Sequence, residues 1–214
     1  TGVQTCALPI LVGSIISKNS QIIIENVGLN PLRTGLIEIL RMMGANVHIT
    51  NIKTVNGEMV GNIHAESSSL NGIEIPKELI ASSIDELPLI VLAASQANGK
   101  TAIRNAEELR VKESDRILSM IKMMYAFKIA TDEFPDGMNV YGGSIKGARV
   151  SSFGDHRIAM TALMASLVSD GDILVEDCKN IDTSFPTFIE IANNIGMRSE
   201  EHTSELRSPD HLVC

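Results

Sequence analysis

Three short runs collect the residue types that bind anions and move protons. ELRVKESDRI, Glu108 to Ile117, packs Arg110, Lys112, Glu113, Asp115 and Arg116 into the approach to a helix. A helix N-terminus carries unpaired N–H groups and the positive end of the helix dipole. Lys and Arg placed there make an anion site, with Glu113 as an acid or base beside it. On residue types alone the run reads more readily as a solvated, ion-paired first turn. GDHRIAM, Gly154 to Met160, puts Arg157 at a second helix start, where Asp155 reads as an N-cap and His156 as a surface neighbour. SSIDELP offers Asp85 and Glu86. Asp85 suits an N-cap, or alternatively a buried carboxylate that takes a proton from a substrate hydroxyl. NPLRTG, Asn30 to Gly35, sets another Arg at a helix start, and Thr183 and Ser184 of DTSFP, which read as caps, hold the matching place further on.

Other chemistries lack their residues. There is no GxGxxG, no P-loop and no HExxH, and His48, His64 and His156 do not have metal-ligand spacing, so neither metal nor cofactor is indicated. A net charge of −8 argues against a general binder of nucleic acid or anionic membranes. Aromatic residues make up only 3% of the chain and Trp is absent, so base-stacking platforms are not expected. No apolar run approaches the ~20 residues of a membrane-spanning helix. Three widely spaced cysteines give no disulfide framework and point to a reducing, cytoplasmic setting. With 44% of residues hydrophobic, the chain can bury a core rather than remain disordered.

The elements that must position these runs repeat along the chain. QIIIENVGLNPLRTGLIEILRMMGANVHI from Gln21, TAIRNAEELRVKESDRILSMIKMMYAFKIA from Thr101 and DILVEDCKNIDTSFPTFIEIANNIGM from Asp172 share one layout. Each has a β-branched run, a polar loop and an amphipathic helix. Gly44, Tyr125 and Gly196 mark equivalent helix ends. Asp85–Lys100 and Asp155–Gly171 read as helices that are apolar and Ala-rich nearly all round, which predicts burial. LVGSIISKNS before the first repeat reads as the end of a third such helix. NVHITN, GNIHAE and MNVYGG read as strands joined by NG and DG turns. The expectation is an α/β domain, a pseudo-threefold repeat of βαβαββ-type units with buried helices inside and sheets outside. The loops that precede the helices would then aim several N-termini to one side, which suits polyanionic substrates.

The two ends read differently from the rest. AGATCGGAAGAGCACACGTCTGAACTC, a common sequencing-library adapter, translates as RSEEHTSEL, the run from Arg198 to Leu206. Its reverse complement contains a frame that reads VQTCALPI, the run from Val3 to Ile10. Residues 1–10 and 198–214 are therefore expected to be adapter-like and to pack weakly, leaving 11–197 as one incomplete domain with a formal charge of −6 once two Arg and four acidic residues are set aside.

RVKESDRI, then DHRIAM about forty residues on, then TSFP, together with NPLRTG and IDELP, resembles the 5-enolpyruvylshikimate-3-phosphate synthase family over essentially all of Leu11–Met197. The first two motifs in order are highly specific. The resemblance implies the enolpyruvyl transferase fold and the C-terminal half of a two-domain enzyme. That enzyme moves the enolpyruvyl group of phosphoenolpyruvate to the 5-hydroxyl of shikimate 3-phosphate and releases phosphate, on the route to chorismate and aromatic amino acids. Carried over by motif, Asp85 handles the hydroxyl proton and Glu113 is the acid/base at the methylene carbon. Lys112 matches a contact near both substrates, Arg116 and Arg157 bind phosphoenolpyruvate, and His156 lies beside that site. No metal or cofactor is implied, and the complete enzyme is expected to be monomeric. Thr183 and Glu108 depart from some members, which carry Lys and Asn there. Two alternatives remain, a relative that acts on UDP-N-acetylglucosamine and a non-catalytic domain on the same scaffold. Alone, the chain is expected to be inactive, because other anion-binding residues belong to the N-terminal half.

Overall fold

Alternating strand-period and helix-period patterns resolve into a repeated α/β architecture in the computed structural model, which describes residues 2–199, with side chains from residue 7 onward except that of Pro31. The first unit comprises α1 (Gly2–Ile16), β1 (Gln21–Gly28), α2 (Gly35–Met42), β2 (Asn46–Val55) and β3 (Glu58–Glu66). The second comprises α3 (Lys77–Ser83), α4 (Leu87–Ser95), β4 (Lys100–Ile103), α5 (Arg116–Ala126), β5 (Thr131–Phe134) and β6 (Gly137–Tyr141). The third comprises β7 (Lys146–Ser151), α6 (His156–Ala165), β8 (Asp170–Glu176), α7 (Lys179–Ser184) and α8 (Phe188–Asn194).

Helices with no polar face must be covered on every side. All of α4 is buried, as is α6 from Ile158 to Ala165. These two pack against each other and against α1, so three apolar helices form the centre. The sheets lie around them, in the orders β1-β3-β2 and β4-β6-β5, with β7 parallel to β8. Asn56 and Gly57 turn the β2–β3 hairpin with φ of 52° and 84°, the left-handed pair that matches strand twist in a two-residue loop. Before β4, residues 71–74 run parallel to it through bridges Asn71–Asn98 and Glu74–Ala102, the counterpart of β7 beside β8. Glycines fit the two parallel crossings. A Cβ on Gly72 would lie 2.3 Å from the Lys100 carbonyl oxygen, and one on Gly147 2.7 Å from that of Asp172.

Two expectations change. The first helix begins at Gly2 rather than near Leu11, and Ala7, Leu8 and Ile10 are buried with the core, so residues 7–10 do not pack weakly. The reason is chemical: ALPI is apolar and joins the buried core, although Pro9 removes one helix hydrogen bond. Residues 200–214, most of the other adapter-like end, lie outside the described residues. The second change concerns helix ends. Tyr125 sits inside α5, and the position equivalent to Gly44 and Gly196 is Lys128, at φ 63°. All three ends close the same way: Ala45, Ile129 and Met197 donate their N–H groups to the carbonyls of Leu40, Met124 and Ala192. A lysine in the left-handed conformation hides this stop from a reader looking for glycine.

Candidate active site

The loop-to-helix junctions of the second and third units meet on one side of the central helices. Asp115 caps α5 by accepting the Leu118 N–H, and Asp155 caps α6 by accepting the Arg157 N–H. These caps fix where Glu113 and Arg116 leave one junction and His156 and Arg157 leave the other. A 3-10 turn over Ile84–Glu86 carries Asp85 to the same place.

Arg116 is the hub. Its side chain is 2% exposed, and its Nε donates to Asp155 Oδ2 at 2.7 Å, a carboxylate with no exposure at all. From that anchor Nη1 reaches Asp85 Oδ1 and Nη2 reaches Glu113 Oε2, both at 3.2 Å. Arg157 closes the other side. It donates from Nη1 to the Asp85 carbonyl at 2.9 Å and to Glu86 Oε1 at 3.2 Å, and its Nη2 lies 3.5 Å from Asp85 Oδ2. His156 Nδ1 is 3.2 Å from Glu113 Oε2.

Electrostatics follow the burial. Burial alone would raise the Asp155 carboxyl, but the hydrogen bond and charge of Arg116 and the Arg157 N–H outweigh it and hold Asp155 below the usual carboxylate range. Burial pulls the other way on Arg116, and the same pairing, with Glu113 and Asp85, lifts it above its ordinary value. Glu86 is raised, chiefly by burial, with Arg157 opposing and Asp85 adding to the rise.

Glu113, Asp155 and His156 bring ligand-type atoms within 4.8 Å of one another. The Arg116 guanidinium already lies against both carboxylates, so a resident cation pairs with each of them and the donor set is that of an ion-pair hub.

Five of the six candidates join this cluster: Asp85, Glu113, Arg116, His156 and Arg157. Lys112 stands in the loop before α5 and its Nζ pairs with Glu108. The capping role considered for Asp85 does not hold. Glu86 is the residue at the α4 cap, with no side-chain cap bond, and Asp85 faces the arginines instead. Nor do Thr183 and Ser184 cap: DTS completes the helical turn of α7, where Thr183 Oγ1 donates to the Asn180 carbonyl. Sequence reasoning missed the second role of Asp155 and the place of Glu86. A contact across 39 residues leaves no trace in local spacing. Arg110 was grouped with the anion-binding run but works structurally. It ties the loop to the β5–β6 hairpin through the carbonyls of Pro135 and Phe134 and through Glu133, and it also holds Asp115.

Among solved structures, EPSP synthase from Acinetobacter baumannii matches with a TM-score of 0.88 and 39% identity, over 90% of this chain and 45% of that one. The enolpyruvyl transferase NikO from Streptomyces tendae matches with a TM-score of 0.57 at 15% identity, which is a likeness of fold, over all of this chain and 46% of that one. Fold and site thus define a domain of the enolpyruvyl transferase class. The family described as EPSP synthase (3-phosphoshikimate 1-carboxyvinyltransferase) matches residues 4–191, and the chain belongs to that family. The 3-phosphoshikimate 1-carboxyvinyltransferase of Nitrosococcus oceani is 47% identical over 187 residues, 87% of this chain and 42% of the relative. That of Acidithiobacillus ferrooxidans is 46% identical over 190 residues, 89% of this chain and 44% of the relative. The chain therefore spans less than half the length of the curated relatives it matches.

Proposed function

We propose that this domain supplies the C-terminal half of the active site for enolpyruvyl transfer from phosphoenolpyruvate to the 5-hydroxyl of shikimate 3-phosphate. The observation that carries the reading is the convergence of Asp85, Glu113, Arg116 and Arg157, drawn from three separate helix approaches, in one ion-pair cluster.

Two guanidiniums on one side suit the phosphate and carboxylate of phosphoenolpyruvate, because each can offer a planar pair of donors. Asp85 accepts the proton of the attacking hydroxyl as its oxygen bonds to the central enol carbon. Glu113 gives a proton to the methylene carbon, and a tetrahedral intermediate results. In the second half Glu113 takes a methyl proton back while the C–O bond to phosphate breaks. His156, in contact with Glu113, orients that carboxyl. Lys112 contributes positive charge once it exchanges Glu108 for a substrate anion. Positioned charge in a closing, water-poor cleft supplies the stabilisation. The N-terminal half of the enzyme completes the site, and the complete enzyme works as a monomer in the cytoplasm. Among the described residues no helix is long and apolar enough to cross a membrane.

The test is phosphate release from phosphoenolpyruvate and shikimate 3-phosphate, with this chain alone and with a supplied N-terminal half. Activity is expected only from the pair. In the active pair Glu113→Gln should lower kcat by about 100-fold or more while KM changes little, since the amide keeps its size but cannot exchange the proton. Near-normal turnover would remove Glu113 from the acid/base role, and full activity from this chain alone would show the missing half to be dispensable.

A further inference from the structure

Both guanidiniums of the cluster are already paired without a ligand, and the pairing is uneven. Each arginine has one buried carboxylate partner and at least one exposed partner. For Arg116 these are Asp155, with 0% side-chain exposure, and Glu113, with 51%. For Arg157 they are Glu86, at 11%, and Asp85, at 43%, which Arg116 also shares. At Arg116 the bonds differ too. Arg116 Nε to Asp155 is 2.7 Å, within the range for charge-assisted pairs. The bonds from Arg116 to Asp85 and Glu113 are 3.2 Å, long for the same chemistry.

We propose that the buried carboxylates Asp155 and Glu86 are positioning residues that hold Arg116 and Arg157 in place for an anion, whereas the exposed Asp85 and Glu113 are resting counter-ions that an arriving phosphate or carboxylate group displaces. The inference rests on the reading that these arginines bind the anionic substrate.

Asp155 cannot leave. Its oxygens also accept the Arg157 N–H at 2.9 Å and the Ser114 hydroxyl at 3.2 Å, so departure would strand a charge in the core and uncap α6. Glu86 sits on the turn that begins α4, and its carboxylate and the backbone carbonyl of Asp85 receive the same Arg157 Nη1. Asp85 and Glu113 face water over about half their surface, so a released carboxylate regains hydration. An anion that takes their place on the guanidiniums leaves them beside the bound substrate without a hydrogen-bonded cation. Anion binding and the freeing of both acid/base groups are then one event. The arrangement makes Asp85 and Glu113 competitors of the substrate before they become its catalysts.

Opposite signs test this. Phosphoenolpyruvate is titrated into the 15N-labelled chain paired with an unlabelled N-terminal half while the arginine Nε–H resonances are followed. Asp85→Asn and Glu113→Gln should each tighten binding by about threefold, the worth of an exposed ion pair. Asp155→Asn and Glu86→Gln should weaken it, although each also removes a negative charge. Pure charge repulsion would make all four substitutions tighten binding. Tighter binding in Asp155→Asn or Glu86→Gln therefore overturns the positioning role, and weaker binding in Asp85→Asn and Glu113→Gln overturns displacement. The Nε–H of Arg116 should exchange slowly with water in the unsubstituted chain and quickly in Asp155→Asn, and equal rates would also defeat positioning. Glu86→Gln conserves volume and keeps an acceptor oxygen, so it decides the question should Asp155→Asn fail to fold. If phosphoenolpyruvate moves no arginine resonance even in the Asp85→Asn, Glu113→Gln double variant, the anion-site reading itself is wrong and displacement falls with it. The exchange rates measured without ligand still judge positioning separately.

Discussion

The second and third units run through the same strand, loop and helix, yet their loops are held differently. In the second, β4 lies between the 71–74 segment and β6, and the β5–β6 hairpin reaches back to grip Arg110. That grip fixes the loop carrying Lys112 and Glu113. In the third, β8 pairs only with β7 among the described residues, and a cavity of about 560 Å³ lies against β8 and the end of α8, lined by residues such as Leu167, Ile173 and Met197. The loop after β8 becomes the short α7, held by bonds such as Thr183 to Asn180. The charged cluster is built on the braced unit and on the start of α6, not on the loop after β8. Precision in the site follows tertiary support for the loop rather than the loop's own sequence.

The largest expected effect comes from breaking the joint between the two units. Asp155→Ala leaves Arg116 without its one buried partner and uncaps α6, and should cost about 3–5 kcal/mol in urea unfolding. The same variant should flatten the acid limb of the stability profile. Asp155 titrates below its unfolded value, so its contribution is complete above about pH 3.9 and is lost as pH falls through the lower folded value. Unchanged stability would mean the two units are not joined there.

A smaller effect is expected from Arg110→Ala, which releases the second unit's loop from its hairpin and so removes the difference between the units. About 1–2 kcal/mol should be lost, because the Arg110 bonds are partly exposed. In the complementing pair kcat should fall with it, since Glu113 lies three residues on. A stability loss with kcat preserved would show that the hairpin does not brace the loop that carries Glu113. The smallest effect belongs to Thr183→Ala, within about 0.5 kcal/mol, because one exposed side-chain bond to its own helical turn is removed. A loss as large as that of Arg110→Ala would erase the contrast.

Much of this was readable before folding. The apolar, Ala-rich runs read as helices at 85–100 and 155–171 do hold buried helices, shorter ones at Leu87–Ser95 and His156–Ala165 because Lys100 and Asp170 already open the next strands, and three like-ordered segments imply like-built units. Asp155 as a cap, the NG turn at Asn56 and Gly57, and the two charged motifs followed from local chemistry that acts within four residues. What misled was also local. ALPI looked foreign and was expected to pack weakly, yet apolar side chains fill an apolar slot whatever their origin. Lys128 took a backbone conformation that glycine usually announces. For Asp85 local chemistry leaves a cap and a proton-accepting carboxylate both open, and only the arginines opposite it exclude the cap.

Residue types, periodicity and caps were determined by the sequence itself, because they depend on neighbours a turn away. Tertiary structure alone decided that Arg116 meets Asp155 across 39 residues and that Arg157 folds over Asp85 and Glu86 from 72 and 71 residues away. It also decided which carboxylates are buried and which are exposed. Burial sets the cost of leaving a charge unpaired, and burial is a property of the packed molecule that no run of neighbouring residues carries.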